Sequence, residues 1–204
     1  MKGDFVYIYK DLSRLTRTAT IVVGSYLLLD LITSAGALAE GPPVGDEVRV
    51  SDFFALLQLL VLIACVSVVG RWIYRASVNA HAITDEMTIS PGWAVGWYFI
   101  PFANLFKPFQ AMREIWHASH ETFGGYEERT PQILGWWWGL WLVNGVIGNI
   151  SARLSWSGVA PASTVDALNM ASAALNIPLC LILITIMREV AQTQPDVFHA
   201  SAFA

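Results

Sequence analysis

Four stretches of the chain, 18–38, 52–74, 132–152 and 166–187, each run for about twenty residues with scarcely a charge inside. An α-helix rises about 1.5 Å per residue, so each stretch is long enough to cross a hydrocarbon core of roughly 30 Å. Lipid offers backbone N–H and C=O groups no partner, and only helices and closed barrels satisfy them there. The fold class follows: an all-α integral membrane protein with four transmembrane helices. Of 204 residues, 55% are hydrophobic and only 14% charged, where a soluble domain carries about 25% charged residues. Too few polar residues remain for a separate soluble domain, so residues 1–204 read as a single membrane domain.

The N-terminus imitates a secretory leader: Lys10, Arg14 and Arg17 precede an apolar run, and Ala37-Leu38-Ala39 resembles a cleavage site. Asp30 interrupts that run, and the region before it is long, so we read a transmembrane helix. A fifth apolar stretch, 91–106, decides the topology. Counted as a span, it divides the Lys and Arg residues seven inside to five outside. Counted as returning to the side it came from, it leaves Lys2, Lys10, Arg14, Arg17, Arg71, Arg75, Lys107, Arg113, Arg129 and Arg188 inside, with Arg49 and Arg153 outside. Ten against two is the asymmetry that the positive-inside rule expects. The stretch is also short, and Pro91, Pro101 and Pro108 punctuate it. We expect a Pro-broken re-entrant or interfacial segment on the cytoplasmic side, with both termini cytoplasmic.

Phe109, Met112 and Trp116, with Phe123 beyond, recur at helical spacing around Arg113, Glu114 and Glu121. That pattern predicts an amphipathic helix over 109–121 at the cytoplasmic membrane surface. A loop through Gly124-Gly125-Tyr126 leads into the third span. Two short outer connections carry Gly41-Pro42-Pro43 with Asp46-Glu47, and residues 153–165. The net charge of −4 and the lack of a basic cluster argue against nucleic acid. Cys65 and Cys180 lie in separate spans and read as apolar packers.

Two groups of residues carry the functional expectations. Asp30, Gln58, Asn144 and Asn176 place one polar residue in each span at similar depth. A carboxylate inside a span costs about 2.5–3.5 kcal/mol on insertion scales and normally faces the protein interior or a wet path. These four therefore read as a layer meeting between helices, either as interhelical hydrogen bonding or as a proton or cation site. The second group is aromatic and basic, concentrated on the inner side: Arg71, Trp72, Arg75, Trp93, Trp97, Phe102, Asn104, Lys107, Trp116 and Trp137. Tryptophan anchors helices at headgroup depth, yet anchoring serves both leaflets and this enrichment is one-sided. The alternative is an inner-leaflet groove for a lipid or quinone-like molecule, with the basic residues receiving an anionic headgroup.

Catalytic and metal signals are weak. His81, His117, His120 and His199 all fall outside the spans, which disfavours axial haem ligation within the membrane. Glu114-x-x-His117 has half the spacing of a di-metal site and stands alone. Gly135-x-x-x-Gly139 suits close helix approach. No metal or obligatory cofactor is expected.

One dense segment carries a resemblance. Arg71-Trp72, Tyr74-Arg75 and Asn79 precede Ser90-Pro91-Gly92-Trp93-Ala94-Val95-Gly96-Trp97. Pro101-Phe102-Ala103-Asn104-Leu105, Pro108 and Ala111-Met112-Arg113-Glu114-Ile115-Trp116 follow. This resembles the bacterial multi-pass membrane family catalogued as domain of unknown function 4328. The likeness implies a protein of the bacterial cytoplasmic (inner) membrane and lends no activity.

Three functions remain as expectations. The leading one is a non-enzymatic accessory or scaffold protein, which binds a lipid or other lipophile and associates with a larger membrane complex or with itself. The alternative is a small proton- or cation-coupled transporter using Asp30. The second alternative is a lipid-modifying enzyme at the membrane interface, for which Glu114 and His117 are the candidates.

Overall fold

The computed structural model describes residues 7–41, 48–120 and 131–201. Glu121, Phe123, the Gly124-Gly125-Tyr126 loop and the Asp46-Glu47 pair lie outside the described residues. Among the described residues six α-helices follow in order: α1 (Ser13–Glu40), α2 (Val50–Ile83), α3 (Pro91–Gly96), α4 (Lys107–Ser119), α5 (Gln132–Ser157) and α6 (Ala162–Ser201). No strand occurs among the described residues. By length and composition α1, α2 and α6 are apolar enough to cross a membrane. Helix α5 is long enough but falls outside that group, since Trp136, Trp137, Trp138 and Trp141, followed by Asn144 and Asn149, lower its mean hydropathy.

Helix ends are set by local chemistry. Gly41 adopts φ +72° and donates its N–H to the Ala37 carbonyl at 3.1 Å, which stops α1. Gly158, at φ +64°, does the same for α5 through the Leu154 carbonyl at 3.2 Å. Both are left-handed terminators of the kind glycine supplies without steric cost. At the start of α2, the Asp52 carboxylate reaches back to the Arg49 N–H at 3.0 Å, and Glu40 accepts from the Ser51 N–H at 3.2 Å. Two otherwise orphaned donors of the first turn are thereby satisfied.

The chain divides into two compact units. The first comprises Met1–Ala19, Ser67–Trp136 and Ile184–Ala204. Its core packs Leu12, Trp72, Met112, Ile115, Ile186 and Val190. Buried polar side chains run through it. Trp72 donates its indole N–H to Thr16 Oγ1 at 2.8 Å. Asn79 grips the segment before α1, accepting from the Lys10 N–H at 3.0 Å and donating to the Lys10 carbonyl at 2.8 Å. Gln194 donates to the Ala76 carbonyl and to Ser119 Oγ, both at 3.1 Å.

Within this unit the stretch 91–106 is a series of short helical pieces. Pro91 opens α3, Trp97–Phe99 and Ala103–Leu105 form single 3₁₀ turns, and Pro101 separates them. Phe102 sits at φ 63°, ψ −45°, and the Ala103 N–H closes back on the Pro101 carbonyl at 2.8 Å. This is the rare, strained form of γ-turn, occupied by a bulky residue that is 81% exposed. Helix α4 begins at Lys107, slightly earlier than the sequence pattern suggests. Its apolar side, including Met112, Ile115 and Trp116, is buried in protein, although the spacing alone suited a membrane surface.

The second unit comprises Thr20–Val66 and Trp137–Leu183. Its polarity is inverted relative to a soluble protein. Asp30, Ser34, Ser51, Ser151, Asp166 and Asn176 are buried, while Leu28, Leu56, Leu60, Ile63, Val146 and Leu181 are exposed. None of the most apolar window of α2 is buried. Outward-facing Leu, Ile and Val surrounding a polar interior is an arrangement that lipid stabilises and water does not.

Candidate functional site

Helices place one polar side chain each into the interior of the second unit, and those side chains join. Gln58 Nε2 donates to Asp30 Oδ1 at 2.5 Å, and Asn176 Nδ2 donates to Asp30 Oδ2 at 2.8 Å. Asn144 Nδ2 donates to Asn176 Oδ1 at 2.8 Å. Ser172 Oγ donates to Asn144 Oδ1 at 2.7 Å. The sequence-derived polar layer of Asp30, Gln58, Asn144 and Asn176 is thus one continuous chain of hydrogen bonds, extended by Ser172. Asp30 is only 7% exposed, and no ion pair involves it among the described residues. A buried carboxylate without a cation is costly, and its two amide donors offset part of that cost.

A cavity of about 340 Å³ borders the carboxylate. Asp30, Thr33, Ser34 and Gln58 line one part of it, and Arg49, Ser51, Asp52 and Asp166 another, with Ala37 and Ala55 among the other lining residues. Thr33 Oγ1 is buried without a hydrogen-bond partner. Arg49 bridges two acids: its guanidinium lies 3.0 Å from Asp166 and 3.3 Å from Asp52, and it also donates to the Gly41 carbonyl at 3.3 Å. Burial pulls the Arg49 pKa down, but the hydrogen bonds and charges of Asp166 and Asp52 outweigh it and hold the group above its ordinary value. With three carboxylates and one guanidinium among its residues, the lining carries a formal charge of −2.

The aromatic and basic candidates are distributed differently. Trp72, Trp116 and Trp137 are interior residues, at 0%, 7% and 3% exposure, and we reassign them from a groove wall to packing. Trp116 stacks on the His120 ring with centroids 4.1 Å apart. Arg75 is committed to the Ile8 carbonyl at 2.8 Å, and Lys107 to Gln110 Oε1 at 3.0 Å. Trp93 and Trp97 stack on each other at 4.5 Å, and Trp93, Phe102 and Arg71 are exposed, with Trp97 and Asn104 half-buried. The surface part of the group is therefore Arg71, the Trp93–Trp97 pair and the Phe102 turn.

Glu114 accepts the backbone N–H groups of Thr88 and Ile89, each at 3.0 Å, together with the Thr88 hydroxyl. Its carboxylate holds the segment entering α3. His117 titrates below its ordinary value because of burial, with Arg113 and His120 adding to the effect. No cluster of three or more His, Cys, Asp or Glu suited to a metal occurs among the described residues.

Several site residues escape sequence reading. Thr33 and Ser34 follow Asp30 by one helical turn and share its face, a signal that Asp30 itself makes available. Arg49 and Asp166 are 117 residues apart, and nothing local announces their pairing. A family model described as "Domain of unknown function (DUF4328)" matches residues 44–192. No curated protein and no solved structure matches the chain.

Proposed function

The chain belongs to the DUF4328 family, a domain of unknown function, and from its site we propose that it is a small cation-handling membrane protein that binds a proton or larger cation at Asp30. The observation that carries this reading is a carboxylate buried to 7% exposure, without a cationic partner among the described residues, on the wall of a polar cavity. Intramembrane acids of this kind mark ion and proton pathways. In this reading α1, α2, α5 and α6 all cross the bacterial cytoplasmic membrane. Both termini and the 91–106 segment then lie on the cytoplasmic side, in keeping with the Lys and Arg distribution. The cavity extends to Arg49 and Asp166, at the α1–α2 connection and the start of α6, the end that this reading puts on the outer side.

The test uses the full chain in liposomes containing a pH indicator. Imposed gradients of protons and of small ammonium cations are expected to give a protein-dependent signal that Asp30→Asn lowers at least tenfold. Asp30→Asn protein that transports like the wild type, or no protein-dependent flux of any cation, overturns the proposal.

A second reading, an accessory protein seated on lipid or on a larger membrane complex, is favoured by the strained and exposed Phe102 beside the Trp93–Trp97 pair. Backbone strain of this kind costs about 1–3 kcal/mol, and Gly at the same φ avoids it at an entropic cost of about 0.5–1 kcal/mol. Phe102→Gly is therefore expected to raise stability by about 1 kcal/mol in detergent and to lose that gain in bilayers, where the ring's contact with lipid is missing. Equal increments in both media would rule out a lipid role for this residue.

A further inference from the structure

Resting on Asp30 as a cation site, the shape and charge of its cavity point to a narrower ligand class: we propose that it takes a linear organic dication, an α,ω-diamine bound as two ammonium groups joined by a methylene chain. Charge is the first argument. One net negative charge is associated with Asp30, and a second remains where Asp52 and Asp166 share Arg49. A monovalent ion answers only one of these.

Spacing is the second. Asp52 and Gln58, which holds Asp30, are six residues apart on α2, or about 9 Å along the axis. An extended chain advances about 3.6 Å for every three bonds, so a diamine of about five or six methylenes covers the separation. Ala37 lies between the Asp30 level and the end of α1, and Ala55 lies between Asp52 and Gln58; both line the cavity and offer the methylenes an apolar wall.

The donor chemistry of the site is the third. An ammonium brings three N–H donors and needs acceptors. Asp30 supplies carboxylate oxygens, and Thr33 lines the cavity beside it with a hydroxyl-bearing side chain. Ser34 adds a second hydroxyl to the wall. A bare metal ion fits less well. The amides beside Asp30 turn N–H groups toward it, and oxygen-rich coordination of a hard cation needs carbonyls turned inward. The volume of about 340 Å³ also exceeds by roughly tenfold the space one water molecule occupies.

Isothermal titration calorimetry on the full chain in lipid nanodiscs tests the assignment with cadaverine, n-pentylamine and sodium chloride as probes. Cadaverine is expected to bind at least tenfold more tightly than n-pentylamine. Across a series of diamines of increasing length, affinity should peak near five or six methylenes. Asp52→Asn should bring the diamine down to the level of the monoamine. The wild-type length series carries the test even if that variant misfolds. Diamine affinity equal to that of the monoamine, or independent of chain length, overturns the inference. If Asp30-dependent proton flux persists in that case, only the ligand assignment falls; flux that ignores Asp30 removes the reading beneath it.

Discussion

Trp72→Ala is expected to lower the unfolding free energy by about 4 kcal/mol, the cost of emptying a large aromatic site in a packed core. Trp72 has no exposed surface, and its indole N–H holds the Thr16 hydroxyl at 2.8 Å. Trp72→Phe separates the two contributions: it keeps most of the packing and gives up the hydrogen bond, for about 1–2 kcal/mol. Denaturant titration in micelles, followed by circular dichroism, reads both values. The same experiment judges the alternative that the sequence pattern suggested. A groove-lining tryptophan would leave stability nearly unchanged and alter only ligand affinity, and that result would return Trp72 to a binding role.

Gln194→Ala should cost about 3 kcal/mol by a different route. The side chain is fully buried and accepts from Asn79 Nδ2 at 3.0 Å while donating to Ala76 and Ser119. Truncation leaves an Asn79 donor buried without a partner, at about 1–3 kcal/mol, and opens a small void. Gln194→Leu refills much of the void and still orphans the donor, so it should fall between wild type and Ala. Because Asn79 also clamps Lys10, hydrogen exchange in residues 7–12 should accelerate in the same order. Protection unchanged in both variants would separate the clamp from Gln194.

These two residues also show where sequence reading stops. Apolarity revealed the helix segments that face lipid, but α2 and α6 continue past 74 and 187 to Ile83 and Ser201. Those extensions carry Asn79, Gln194 and Ser77, all fully buried, and a buried polar residue looks in sequence like an exposed one until its partner is known. Trp72 was ambiguous for a related reason, since both a girdle and a core attract tryptophan at the end of a span. Its helical phase was the better guide: Ala76 and Asn79 follow on the same face, one and two turns on, and small or polar companions suit interior packing. The polar layer was legible because intramembrane polar residues are scarce. With one candidate per helix, counting residues along each helix was enough to align them. The Arg49 end of the cavity was not legible, because Arg49 finds Asp166 only through the tertiary fold.

The hydrogen-bonded chain that ends on Asp30 also has a direction. Every link now points the same way, from the Ser172 hydroxyl through the Asn144 and Asn176 amides to the carboxylate. A protonated Asp30 becomes a donor on one oxygen, and a neighbour must then present an acceptor there. Gln58 can do so by turning its own amide. If Asn176 responds instead, its Nδ2 swings toward Asn144, Asn144 must turn in its place, and Ser172 ends as an acceptor. The row thus has two self-consistent polarities, related by exchanging the N and O of each amide, and a proton on the oxygen that faces Asn176 selects between them. A change of charge at Asp30 would reach Ser172, three hydrogen bonds away, as a reversal of dipoles with no helix having moved.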